Sequence, residues 1–233
     1  MHSFYADGDR ILGEEAVHLS KVLRLKAGEE IVAIEKGQRT LARLTSVGKE
    51  EARFEPLRPL PSGEAACRVT LYQGLCKGEK MEYVVQKCTE MGVHAIVPVA
   101  MARSVQRPGS DKYLERLSRI AREAVKQCGR SLPPRIGPAL GFDQALSAMA
   151  AHEALFMPYE LGGAPLQAPL RERDVGLLIG PEGGIAPEEA RAVAALGGRA
   201  VTLGSRILRT ETAGLVALTL VMHLCGELGG TAP

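Results

Sequence analysis

Tryptophan is absent from this 233-residue chain, and phenylalanine and tyrosine are so scarce that aromatics make up only 4% of it. A surface that binds single strands by stacking successive bases on a row of rings is therefore not evident. Neither a Cys-x-x-Cys nor a His-x-x-x-His pair occurs, which removes the usual spacings of a zinc site. The five cysteines, Cys67, Cys76, Cys88, Cys128 and Cys225, are odd in number and mostly sit in apolar stretches, as reduced thiols of a cytosolic protein do. The opening MHSFYADGDR lacks the apolar segment of a secretory signal. The longest apolar run, Ala213 to Cys225, is too short to cross a bilayer. A cytoplasmic protein with no metal and no membrane span is expected.

What is present is an ordinary globular composition, 45% apolar with a net charge of +2, enough to bury a real core in one large domain or two unequal ones. The first sixty or so residues alternate in short stretches such as EEIVAIE and TLARLTSVG, with one helical insert, EEAVHLSKVLRL. PLRPLPSGEA then punctuates the chain with proline and glycine, and a boundary is expected near Pro61 to Ala66. Beyond it strands alternate with helices: VTLYQGL with KGEKMEYVVQKCTEMG, AIVPVAM with DKYLERLSRIAREAVKQCG, EALFMPYE with a proline-broken loop, VGLLIG with PEEARAVAALGG, and AVTLG with TETAGLVALTLVMHLCG. That rhythm predicts an α/β domain with a mostly parallel sheet covered by helices.

In such sheets ligands bind beyond the carboxyl ends of the strands. IGPEGG, Ile179 to Gly184, ends one of them. It is not a P-loop, because GxxxxGK[ST] is missing and Glu182, Glu188 and Glu189 would repel a polyphosphate; GxGxxG is missing as well. A ligand that is neutral or cationic at its recognised end fits, and so does a plain strand-to-helix turn with Pro187 at the first helical position. A second strand end, LGSRILRTETAGL, places Gly204 before Arg206 and Arg209. Thr210 is a candidate helix cap and Glu211 suits the helix dipole. The two arginines serve neither role, which leaves them to a surface ion pair or to a polar or anionic substrate.

From Leu114 to Arg130 the apolar residues fall on one helical face and Arg116, Arg119, Arg122, Lys126 and Arg130 on the other. Residues 103–135 carry a local net charge of +6, whereas the first sixty-six residues are nearly balanced. Such a stripe matches a nucleic-acid backbone, or equally a solvated face laced with pairs such as Glu115 and Arg119.

HLSKVLRLKAGEEI, KGEKMEYVVQKCTEMGV, RIAREAVKQCGR, IGPEGG and LGSRILRTETA together resemble one family, the SPOUT-class RNA methyltransferases, and within it the 16S ribosomal RNA uridine N3-methyltransferases of the RsmE type. The chain departs from that pattern at His2, Ser3, Ala102 and Ala186. The resemblance implies a small PUA-like RNA-binding β-barrel over residues 1–66. It also implies a SPOUT methyltransferase domain over 67–233, with a C-terminal trefoil knot. It implies S-adenosyl-L-methionine as cofactor, a homodimer, and 16S ribosomal RNA of the small ribosomal subunit as partner. The expected cofactor residues are Met157, Pro158, Ile179, Gly180, Pro181, Glu182, Gly183, Gly184, Leu203, Gly204, Ile207, Leu208, Arg209, Thr210 and Ala213. Arg209 is expected to stabilise a uracil anion, with Arg206 as the alternative and Glu211 as an acid able to take the N3 proton. Arg24, Lys77, Arg103, Arg116, Arg119, Arg122, Lys126 and Arg130 are expected to meet RNA. Lys80, with Glu79 and Glu90, is expected either to touch RNA or to order its helix. A related enzyme acting on another base or a ribose 2′-hydroxyl, or a non-catalytic RNA-binding protein, remains open at this point.

Overall fold

The computed structural model describes residues 1–167 and 170–229. The chain divides into two units, Met1–Glu64 with Arg122–Pro133, and Ala65–Ala121 with Pro134–Pro233.

The first unit is built on a five-stranded sheet of β1 (Ser3–Tyr5), β2 (Arg10–Leu12), β3 (Glu30–Glu35), β4 (Gln38–Val47) and β5 (Glu51–Leu60), in the order β1-β3-β4-β5-β2. The expected helical insert is a short helix α1 (Gly13–Val17) followed by a π-helical turn, His18–Val22. Lys36 and Gly37 alone join β3 to β4, both at positive φ (47° and 80°), as right-twisted hairpin strands require. The β4–β5 ladder shifts register twice. Such shifts bend long strands and curl this sheet around Phe4, Ile11, Leu19, Ile31, Leu44 and Phe54. On the other face Val32 and Ile34 bury against Val125, and this contact explains why Arg122–Pro133 groups with the first unit, an association for which the sequence carries no local signal.

That returning segment is held by charge. The Glu64 carboxylate accepts hydrogen bonds from Arg130 Nη2 (2.7 Å) and from the Ser131 and Leu132 amides (2.9 and 3.0 Å), and Arg130 is almost wholly buried.

The second unit is an eight-stranded sheet, parallel in every pairing. Its elements are β6 (Arg68–Gly74), α2 (Lys80–Glu90), β7 (Ala95–Ala100), α3 (Asp111–Cys128, whose last turns belong to the first unit), β8 (Arg135–Ile136), β9 (Leu140–Gly141), α4 (Phe142–Met149), β10 (Ala154–Pro158), β11 (Ala164–Pro165), β12 (Asp174–Ile179), α5 (Pro187–Ala195), β13 (Arg199–Thr202) and α6 (Thr210–Leu224). The strand order is β11-β13-β10-β12-β6-β7-β8, with β9 also on β7. Central β6 and β12 are buried along nearly their whole length, as a sheet covered on both faces demands. After β12 the chain crosses β10 to form β13, then doubles back so that α6 packs on α2, β6 and β12. Helix α4 was not among the helices read from the sequence.

Two polar fastenings lie at the strand starts. His152 bridges the Tyr72 hydroxyl (2.9 Å) and Asp174 (2.5 Å), and Arg68 also pairs with Asp174. Chain entry and exit meet close by: the Cys67 amide donates to Glu227 (2.9 Å), Arg173 donates to the Cys225 carbonyl (2.9 Å), and the Cys67 and Cys225 thiols touch.

Burial by itself would raise the Glu64 carboxyl, but the Arg130 side chain and the two amides outweigh it and hold the group below its ordinary 4.5. The folded state therefore gains stability from this carboxylate above pH 4.5 and loses it as the pH falls past that value. Glu64→Ala strands a buried guanidinium and is expected to cost about 2–4 kcal/mol; denaturant titrations at neutral and acid pH should show the difference from wild type shrinking in acid.

Candidate functional site

The carboxyl ends of β10, β12 and β13 lie side by side. Pro158 pairs with Val201, and Ile179 sits beside Gln73 near the end of β6. Three loops leave these ends, Tyr159–Gly163, Gly180–Ile185 and Leu203–Arg209, and together with the first turns of α6 they enclose a cavity of about 780 Å³.

Each loop is shaped by close backbone approach. A Cβ on Gly74 would lie 2.4 Å from the Pro181 nitrogen, so the end of β6 and the IGPEGG loop touch main chain to main chain. Gly184 has φ +75°, and its bare side is filled by Glu160, while Gly183 is covered by Arg103, which also donates to the Gly183 carbonyl (3.1 Å). These glycines thus accommodate protein neighbours. The glycines with empty space around them are Gly162 (φ +130°) and Gly204 (φ +109°), on the other two loops of the cavity.

Thr210 is not the cap of α6, since Arg209 holds that place without a side-chain hydrogen bond. The buried Thr210 hydroxyl instead donates to the Gly180 carbonyl (2.6 Å) and accepts from Gln73 Nε2 (2.8 Å). One hydroxyl thereby ties α6, the IGPEGG loop and β6 together. Pro187 does start α5, and Glu189, far from repelling a ligand, is buried and accepts from the Ala186 and Ala102 amides (3.0 and 2.8 Å).

Charge is ordered by Lys80, whose ammonium lies 3.0 Å from Glu182 and 3.6 Å from Glu211. The Glu182 bond is the main reason that Lys80 titrates above its ordinary 10.5. Burial pushes Glu182 up, but the Lys77 amide and the Lys80 ammonium outweigh it and hold the carboxyl below 4.5. Arg206 and Arg209 are exposed, and neither has a hydrogen-bonding or ion-pair partner for its side chain among the described residues. Two free guanidinium groups on one cavity wall suit an anionic or strongly polar ligand.

Of the residues expected at a cofactor site, Pro158, Ile179 to Gly184, Leu203, Gly204, Ile207, Leu208, Arg209, Thr210 and Ala213 all line this cavity, as does Arg206. Met157 does not: strand alternation turns its side chain into the core with Val99, Leu155 and Leu178. Glu211 is drawn onto Lys80 and is not part of the lining. Lys80, Gly162, Gly163, Ile185 and Thr202 are wall residues that the sequence did not single out, whereas Tyr159, Glu160 and Ser205 lie within the expected loops at the end of LFMPYE and in LGSRILRT. The Gly162–Gly163 pair just past β10 carried the same signal as the other strand-end glycines.

The basic stripe divides. Lys126 is largely buried between Glu15 and Glu123 (2.8 Å each), and Arg130 is committed to Glu64. These two are structural cations and present no face to RNA, a correction that follows from their burial. Arg122 lies over the Tyr5 ring (3.9 Å) and Arg116 pairs with Glu82 (2.8 Å). Arg24, Lys77, Arg103 and Arg119 remain exposed. Among the described residues no cluster of three or more His, Cys, Asp or Glu could hold a metal ion, and no helix is long and apolar enough to cross a membrane.

Comparison with known proteins gives this geometry a context. Residues 63–222 match the family model of the RNA methyltransferase domain and residues 11–57 that of the RNA methyltransferase PUA domain. The chain is 32% identical to the ribosomal RNA small subunit methyltransferase E of Bacillus subtilis (strain 168), over 94% of this chain and 91% of that one, and 30% identical to that of Aquifex aeolicus (strain VF5), over 96% and 100%. The crystal structure of ribosomal RNA small subunit methyltransferase E from Neisseria gonorrhoeae bound to S-adenosyl methionine is 33% identical and superimposes with a TM-score of 0.86, covering 96% of this chain and 98% of that one.

Thr210→Val keeps the shape and removes both hydroxyl bonds, leaving the Gly180 carbonyl without that donor. The expected loss is about 1–3 kcal/mol, or a melting point lower by roughly 3–10 °C, with Thr210→Ser close to wild type in the same thermal scan.

Proposed function

The chain belongs to the RNA methyltransferase family, and from that premise we propose that it transfers the methyl group of S-adenosylmethionine to N3 of a uridine in the 16S ribosomal RNA of the small subunit. The observation that carries the reading is the three-loop cavity, with open main chain at Gly162 and Gly204 and unpaired Arg206 and Arg209 on its wall.

The residues fit the cofactor. The cavity is of the size that holds a nucleoside-sized ligand, its glycines leave peptide groups accessible at two of the three loops, and its apolar lining at Ile179, Ile185 and Leu208 suits the flat face of an adenine. S-adenosylmethionine, when bound, supplies an electrophilic methyl group on a sulfonium. The protein's own task is to make uridine N3 a nucleophile. N3 carries a proton at neutral pH, and once that proton leaves, the negative charge spreads to O2 and O4 of the ring. Arg209, fixed at the start of α6, is the group we assign to that charge, with Arg206 beside it; fixed cations aimed at developing charge are the strongest contribution a site of this kind makes. The proton passes to Glu211 or to solvent. Glu211 Oε2 is buried without a hydrogen-bond donor among the described residues and lies 3.6 Å from the Lys80 ammonium.

The exposed cations Arg24, Lys77, Arg103 and Arg119 are proposed RNA contacts, acting on the phosphate backbone. Helix α6 is apolar on nearly every side, yet Leu215, Val216 and Leu220 are only partly covered and Ile207 is 90% exposed; we assign this face to a second copy of the chain in a homodimer. A cytoplasmic location accords with a ribosomal RNA substrate. The nucleoside produced decides between N3 of a uridine and a ribose 2′-hydroxyl as the target.

Incubation with S-adenosylmethionine and small subunits lacking the modification, followed by digestion and mass spectrometry, is expected to yield N3-methyluridine; another methylated nucleoside would move the chain to a different branch, and none would leave only RNA binding. Arg209→Ala should lower kcat about 10²–10³-fold while the dissociation constant for S-adenosylmethionine changes little. Glu211→Gln separates the two proton routes, since a rate that stays at wild-type level across pH assigns the proton to solvent. Arg119→Ala should weaken RNA binding and reduce the dependence of log K on log salt by about one, whereas Lys126→Ala should act through stability.

A further inference from the structure

The loop cavity has a smaller neighbour. A second cavity, of about 310 Å³, lies against the segment that joins β6 to α2. The segment and the first turn of α2 contribute to both cavities: Lys80 lines the first, while Cys76, Gly78 and Met81 line the second. Gln106, Arg107 and Tyr113 also line it.

The chemistry of this space is that of a slot for a flat, partly apolar group. Tyr113 is half-buried and its hydroxyl titrates above 10 because of that burial, so it stays neutral. Gly109 crosses its ring so tightly that a Cβ there would lie 2.3 Å from Cδ1, which fixes the ring against the loop. Cys76 is pushed up to about 12, chiefly by burial, and remains a thiol; the slot is built to bind and holds no nucleophile. Arg107 lines it, exposed and with no ion-pair partner among the described residues, and the exposed Lys112 directly precedes Tyr113 in the chain. An aromatic ring, an amide side chain and unpaired cations around an apolar floor make up the pattern that recognises an unstacked nucleobase and its phosphate.

The reaction itself calls for such a slot. N3 lies at the centre of the pairing edge of uracil, so methylation requires the nucleotide to leave its stack, and the base next to it then loses a stacking partner. We propose that the second cavity receives an unpaired base adjoining the methylated uridine, stacked on Tyr113 with Arg107 on the flanking phosphate. The proposal rests on the RNA methyltransferase reading, and makes Tyr113 a determinant of which RNA is held.

The test uses full-length protein with small-subunit RNA lacking the modification. Tyr113→Ala is expected to weaken RNA binding and raise KM for RNA by roughly five- to a hundredfold, with kcat at saturating RNA and the affinity for S-adenosylmethionine unchanged, and Tyr113→Phe is expected to match wild type. RNA affinity and KM at wild-type values in a Tyr113→Ala protein that still binds S-adenosylmethionine would overturn the assignment. Should that variant fail to fold, ultraviolet crosslinking of wild type to the same RNA decides, with a crosslink within residues 106–116 expected and its absence fatal. A wild-type protein that makes no methylated uridine, yet loses RNA affinity on Tyr113→Ala, would sink the enzymatic reading and leave the base slot standing.

Discussion

Everything in the larger site depends on one buried hydroxyl. Thr210 stands where the last helix begins, and its oxygen joins the carbonyl of Gly180 to the amide of Gln73. In a dry interior each of those polar groups would carry a heavy desolvation cost if left alone, so the three elements are held in register by mutual need. The loop that ends β12, the helix that bears Arg209 and the central strand β6 cannot drift independently. Lys80 repeats the device at the surface with charge in place of a hydroxyl, spanning Glu182 and Glu211. A neutral clamp inside and an ionic one outside give the cavity walls a defined spacing before any ligand arrives, which is the condition for electrostatic preorganisation.

Much of this architecture was legible in the residues. Apolar runs ending on glycine located the strand ends, and IGPEGG and LGSRILRT, read as ligand loops, do face one cavity. The parallel sheet followed from alternating strands and helices, and family-level motifs added the PUA-like unit. What escaped the reading escaped for physical reasons. Thr210 looked like a cap because the rule for caps is local, whereas its actual partners are 30 and 137 residues away in the chain. Helix α4 is short and preceded by two strands of two residues each, so no long period announces it. The glycines of IGPEGG fit a ligand loop or a tight turn equally in the sequence, because whether a glycine's bare side is open depends on what packs there, and Arg103 and Glu160 come from distant segments.

The basic helix teaches the same lesson about charge. Helical periodicity assigns Arg116, Arg119, Arg122, Lys126 and Arg130 to one face, and from that view they form a single stripe. Burial sorts them into different classes, because Glu15 and Glu64 reach from the N-terminal segment to neutralise two of them and Tyr5 covers a third. A count of cations therefore overstated the surface available to a polyanion.

The corner at Cys67 and Glu227 bears on how such an enzyme can change over time. Because the strand that opens the α/β unit and the turn that follows its last helix are hydrogen-bonded to one another, additions before or after this unit start from the same spot, away from the strand ends that carry the cavity. A module whose first strand and last turn meet at one corner can gain chain at either end without disturbing the walls that hold the ligand.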